Sequence, residues 1–166
     1  FYLGDNINES AEVADLPLSS LTYVVFKTET TGFKPAAGDD ILAIAGVKVV
    51  NQRILSDESF QSLVNPYRPI PEGSVRFHGI TNDAVKGKPP IKVVLQEFES
   101  FAGDAVLVGH NAGFDMQFIK KMEEKATVYF ENNILDILLL AAVVDEERAE
   151  HTLEGMSQSL GGNIKG

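Results

Sequence analysis

The run Tyr23-Val24-Val25-Phe26 constrains the chain most. It is aromatic and β-branched with no polar alternation, the pattern of a strand buried on both faces of a sheet. It leads directly into Lys27-Thr28-Glu29-Thr30-Thr31-Gly32, so charged and hydroxylic side chains stand at the end of a central strand. Alternate residues of an extended chain share a face, which puts Lys27 and Glu29 on the same side.

The segments that follow extend this sheet. Gly38-Asp39-Asp40 reads as a turn and Ile41 to Val50 as a second strand. Asn51-Gln52 is a tight connection into a third, Arg53 to Val64, so the first three strands form an antiparallel meander. Pro66, Pro69 and Pro71 then interrupt regular structure. After Pro89-Pro90, the apolar residues Ile91, Val94, Leu95, Phe98 and Phe101 recur at helical spacing, and Gly103 closes that helix. Ala105 to Val108 reads as a short buried strand. Phe114, Phe118 and Met122 mark a second amphipathic helix beginning near Asn111. Ile134 to Val144 is apolar nearly all round and reads as a helix sunk in the core. Asp145 to Arg148 reads as a solvated loop. Leu153, Met156 and Leu160 share one face of a last short helix ended by Gly161-Gly162, with His151 at its start. Strands followed by alternating helices and strands make an α/β pattern.

With 166 residues, 44% of them hydrophobic, the chain can fill one core. Residues 1–20 carry four acids, Asp5, Glu9, Glu12 and Asp15, and no Lys or Arg. They read as an acidic tail or linker, with Leu16-Pro17-Leu18 docking on a domain that spans 21–166. The chain has no Cys, hence no disulfide framework and no thiolate metal site. It shows no bilayer-length apolar run and no visible signal peptide, so a cytoplasmic setting without membrane contact is expected. The formal net charge of −10 speaks against a broad basic face that wraps duplex nucleic acid. It leaves local binding at a strand end, or no such binding at all.

Two segments stand out for chemistry. One is Phe26-Lys27-Thr28-Glu29-Thr30-Thr31-Gly32. The other is Gly109-His110-Asn111-Ala112-Gly113-Phe114-Asp115, which puts Asp115 in the first turn of a helix, where the positive helix end favours an anion. Taken alone, Glu29 is an ordinary strand-end carboxylate and Asp115 an ordinary first-turn acid. Taken with their flanks, they resemble the first two motifs of the DnaQ-like (DEDD, His-type) 3′–5′ exonuclease family, which includes the proofreading epsilon subunit of DNA polymerase III. That family reads Asp-x-Glu-Thr-Thr-Gly and then His-Asn-Ala-x-Phe-Asp. His78-Gly79-Ile80-Thr81, Leu135-Asp136-Ile137-Leu138 and Thr152 onward also resemble family segments, in the family's order.

The resemblance implies an RNase H-like fold, α/β, with a central mixed five-stranded sheet flanked by helices. It implies hydrolysis of 3′-terminal phosphodiesters of single-stranded DNA or RNA with two Mg²⁺ or Mn²⁺ ions about 3.5–4 Å apart. A DNA polymerase subunit is the implied protein partner. Glu29 and Asp115 then become catalytic metal ligands. Thr30, Thr31, Gly32 and Phe33 form an apolar wedge at the terminal nucleotide, and Phe33 otherwise reads as a capped loop residue. His78 lines the cleft or forms a turn. His110 and Asn111 shape the loop before Asp115, and Asp136 stands behind the site.

Two departures set this chain apart. Lys27 occupies the position of the family's first Asp. An ammonium has no lone pair for a metal, so Lys27 is expected to fill that space and pair with Glu29 or Asp115. The family's last motif is a His with an Asp five residues on, but five residues after His151 stands Met156. Thr152 to Gly166 resembles what precedes that motif, so the domain is expected to be truncated before it, with metal binding and activity impaired. The alternative is a catalytically inactive module that keeps the cleft for nucleic acid or a protein partner.

Overall fold

The computed structural model describes residues 16–144 and 152–159. Five strands form one mixed sheet in the order β3-β2-β1-β4-β5. They are β1 (Thr22–Thr30), β2 (Ile41–Val50), β3 (Arg53–Leu63), β4 (Val106–Gly109) and β5 (Ile134–Asp136). The expected meander is present: β1 and β3 each pair antiparallel with β2. The two-residue β2–β3 connection has positive φ at both Asn51 and Gln52, the backbone that matches strand twist in a tight hairpin. β4 runs parallel to β1, and β5 parallel to β4.

The helices are α1 (Glu72–His78), α2 (Asn82–Val85), α3 (Ile91–Ala102), α4 (Ala112–Ala126), α5 (Ile137–Val144) and α6 (Leu153–Ser159). α3 packs on β2 and β3, α4 on β1, β4 and β5, and the two helices pack on each other. The core lies between them and one sheet face. Phe98 is fully buried at its centre, with ring centroids at 5.8 Å from Phe26, 5.4 Å from Phe60 and 5.7 Å from Phe130. A smaller cluster of Leu42, Ile70 and Val85 seats α1 and α2 against the sheet through Val75 and Ile80.

Four expectations need correction. First, β1 is not buried on both faces. Val24, Phe26 and Thr28 face the helices, whereas Val25 is 39% exposed and Lys27 lies on the same open side. Second, Ile134 to Val144 is not one buried helix. Ile134–Asp136 extends the sheet beside β4, and α5 begins at Ile137. The Asp136 carboxylate accepts the Leu138 N–H at 3.0 Å, which marks the change from strand to helix. Apolar periodicity cannot separate a short buried strand from a helix, and here the two are joined without a break. None of the α5 residues is buried; Val143 and Val144 are 74% and 78% exposed. Third, Leu16 and Leu18 are exposed, so their side chains do not dock. The link there is polar, with the Tyr23 hydroxyl donating to the Leu18 carbonyl at 2.6 Å. Fourth, the proline-rich stretch contains helix α1 directly after Pro71, a residue whose fixed φ suits a helix start. α6 bears out the last short helix, with Met156 buried as expected. His151, Leu160 and the Asp145–Arg148 loop lie outside the described residues, as do residues 1–15 of the acidic segment.

Among the described residues, one buried acid serves the core rather than the cleft. Glu123 on α4 accepts the Phe130 N–H at 2.8 Å and pairs with Lys120 at 2.9 Å. Glu123→Ala leaves that buried N–H without its acceptor and is expected to cost about 1–3 kcal/mol. Urea unfolding measures it; a change below about 0.5 kcal/mol, typical of neutral surface substitutions, would show the bond to be dispensable.

Candidate active site

β1 alternates Lys27 and Glu29 on its open face with Thr28 on the face covered by α4. α4 begins immediately after the β4 end, and its first turn carries Asp115 across to β1. Asp115 is only 1% exposed. Its Oδ1 accepts the Thr28 N–H at 2.8 Å and the Thr28 hydroxyl at 2.5 Å. The Lys27 ammonium lies 3.5 Å from the same oxygen. All three donors converge on one carboxylate atom. The expected pairing of Lys27 therefore forms with Asp115; among the described residues no ion pair joins Lys27 to Glu29.

The loop after β1 forms one wall. Thr31 is buried; its hydroxyl donates to Asp39 Oδ1 at 3.1 Å and accepts the Asp40 N–H at 3.0 Å. Asp39 Oδ2 accepts the Lys34 N–H at 3.0 Å, which closes the loop. Gly32 is required by this arrangement, because a Cβ there would stand 2.4 Å from an Asp39 carboxylate oxygen. Thr30 donates to the Gly32 carbonyl at 2.7 Å. Phe33 at the tip is 74% exposed, with its ring 6.2 Å from that of Phe114. α1 supplies the opposite wall through Phe77, 83% exposed, and His78. His78 Nδ1 accepts the Ile80 N–H at 3.0 Å, which assigns the ring proton to Nε2. That Nε2 is buried and, in the structure, has no hydrogen-bond partner.

These parts enclose two adjoining pockets. One, of about 350 Å³, is lined by the β1 end from Lys27 to Phe33 and by Phe77, His78 and Phe114. The other, of about 290 Å³, is lined by His110, Asn111, Asp115 and Leu138. Lys27, Phe33 and Phe114 line both. The structure thus brings together Lys27, Glu29, Thr30, Thr31, Gly32, Phe33, His78, His110, Asn111 and Asp115. Asp136 stands behind them. Its Oδ1 accepts the Asn111 N–H at 2.9 Å and holds that residue in a left-handed conformation, φ 58°, just before α4.

Thr28, Asp39 and Phe77 were missed at the sequence level. Thr28 carried a usable signal: strand alternation turns it away from Lys27 and toward the helix that bears Asp115. Asp39 and Phe77 carried none, since their roles depend on a loop closing and on a helix between prolines.

Among the described residues, the side chains at this site do not suit a pair of divalent ions. Mg²⁺ and Mn²⁺ require hard oxygen donors and, two together, several negative charges. Among the described residues, no group of three or more His, Cys, Asp or Glu side chains is placed to hold a metal ion. The Lys27 ammonium beside the buried Asp115 carboxylate compounds this, because it repels a cation.

The sequence profile of an exonuclease family, RNase T, matches residues 24–166. The DNA polymerase III subunit epsilon-like protein of Rhodobacter capsulatus is 47% identical over 153 residues, covering 92% of this chain and 22% of that protein. The chain thus spans less than a quarter of this curated relative. Among solved structures, a product-bound exonuclease I superposes with a TM-score of 0.73 at 16% identity, covering 88% of this chain and 40% of the other. A metal-free complex of E. coli exonuclease I with single-stranded DNA gives 0.72 at 16%, covering 86% and 36%. These similarities show the shared RNase H-like fold. With the motif order and the profile match, they establish that this chain belongs to the RNase T exonuclease family, in its DnaQ-like 3′–5′ branch.

Proposed function

We propose that the domain receives the 3′ end of a single nucleic-acid strand, DNA or RNA, in the Lys27–Phe33–Phe77 cleft, and that its hydrolytic step is impaired. The observation that carries this reading is the Lys27 ammonium 3.5 Å from Asp115 Oδ1. It puts a positive charge where the family places a bridging carboxylate. Phe33 and Phe77 offer exposed rings for stacking, which is tolerant of base identity. The unpartnered His78 Nε2 offers a buried donor. A chain with a net charge of −10 suits contact with a strand end better than with a length of duplex.

The bond at issue is the 3′-terminal phosphodiester, by family membership. Glu29 and Asp115 are acids of the metal set, and Mg²⁺ or Mn²⁺ binding is weak or limited to one ion. The name of the Rhodobacter relative supports a replicative polymerase subunit as the protein partner.

The test is a time course on a 5′-labelled single strand with Mg²⁺ or Mn²⁺, beside a binding titration of the same strand. The expected result is binding that weakens with salt and negligible shortening from the 3′ end. Multiple-turnover digestion would overturn the impaired step, and a tight, salt-insensitive duplex complex would overturn the cleft as strand-end receptor.

A further inference from the structure

Resting on that reading, we infer that Lys27 makes the cleft a metal-independent receptor for the phosphodiester backbone, its ammonium supplying charge that divalent ions supply elsewhere in the family. Three observations carry this. Lys27 lines both pockets, and its side chain is 56% exposed. Its contact with Asp115 is a long one. At 3.5 Å it exceeds the roughly 2.7–2.9 Å of a close ammonium–carboxylate bond. The reason is that Thr28 already holds the same oxygen through two shorter bonds. Asp115 therefore anchors Lys27 without consuming it, since an ammonium carries three donors. Phe114 flanks it, with its ring centroid 5.9 Å from Nζ.

The charge balance points the same way. Lys27, Glu29 and Asp115 sum to one negative charge. An Asp at the first position would make the sum three negative charges, which repels an anionic backbone more strongly. Lys27 removes most of that barrier and adds a donor facing the strand.

The experiment is fluorescence anisotropy with a 5′-fluorescein oligothymidylate, in EDTA and in Mn²⁺, across a salt series. The unaltered chain is compared with Lys27→Gln and Lys27→Arg, and melting curves confirm that each variant is folded. For the unaltered chain, Kd is expected to agree within about twofold with and without Mn²⁺, because binding is linked to no ion uptake. Lys27→Gln is expected to flatten the slope of log K against log salt by about 0.7, the value of one phosphate contact on a single strand. Lys27→Arg is expected to keep the slope. The slope distinguishes a backbone contact from a merely structural side chain. Binding that EDTA abolishes, or an unchanged slope in Lys27→Gln, overturns this inference while leaving the strand-end reading standing. No binding under any condition overturns both.

Discussion

Lys27→Asp is expected to give the protein a Mn²⁺-dependent rise in melting temperature that the unaltered chain lacks. The substitution swings the site by two charge units beside Asp115, which is buried and cannot move away. Without metal, three carboxylates face one another and the apo protein loses some stability. With metal, those carboxylates supply the hard anionic oxygens a divalent ion requires. An ion that binds only the folded state at a hundredfold excess over its Kd stabilises by about 2.7 kcal/mol. For a chain of this size that corresponds to roughly 5–11 °C. Melting curves of both proteins, with and without Mn²⁺, measure it. Equal metal responses in the two would place Lys27 outside any former metal position and undo the motif alignment at β1.

Phe98→Ala is expected to cost about 3–5 kcal/mol, the range for truncating a large buried aromatic residue. Phe98 is fully buried in α3 and meets rings from β1, β3, α3 itself and the segment leading into β5. It is the point where one helix locks a central strand, an edge strand and the segment leading into β5. The cavity cannot close by movement of one neighbour, because its walls belong to separate elements. Guanidinium unfolding of the variant gives the value directly. A loss near 1 kcal/mol would mean that the surrounding rings collapse into the space and that the hub is soft. The loss should appear without a matching change in the salt slope of strand binding, since Phe98 does not line the cleft.

Much of this protein is legible from local pattern. The meander, α3, β4 and α4 follow from apolar periodicity and from turn residues, both of which act over short stretches of chain. The motif order grouped Glu29, Asp115 and the 109–111 loop from sequence, whereas His78 stood open between the cleft and a turn. Lys27 was equally legible, because an ammonium at a ligand position contradicts the chemistry around it wherever it points.

Tertiary structure decided the rest. An apolar run from Ile134 to Val144 carries the same periodicity signal whether it is strand or helix. Only the open edge of β4 and the Asp136 carboxylate divide it. Val25 has the composition of a doubly buried residue, yet its exposure depends on which sheet face the helices cover. Which acid Lys27 would meet was also open, since Glu29 shares its strand face and Asp115 does not. The choice fell to Asp115 because α4 carries it across to β1, where the neighbouring Thr28 pins one oxygen within reach of the ammonium. Gly32 reads from sequence as part of the wedge at the terminal nucleotide; in the fold it lines the cleft and also leaves room for Asp39. Local pattern states what a segment prefers; contacts between residues far apart in sequence determine which preference is realised.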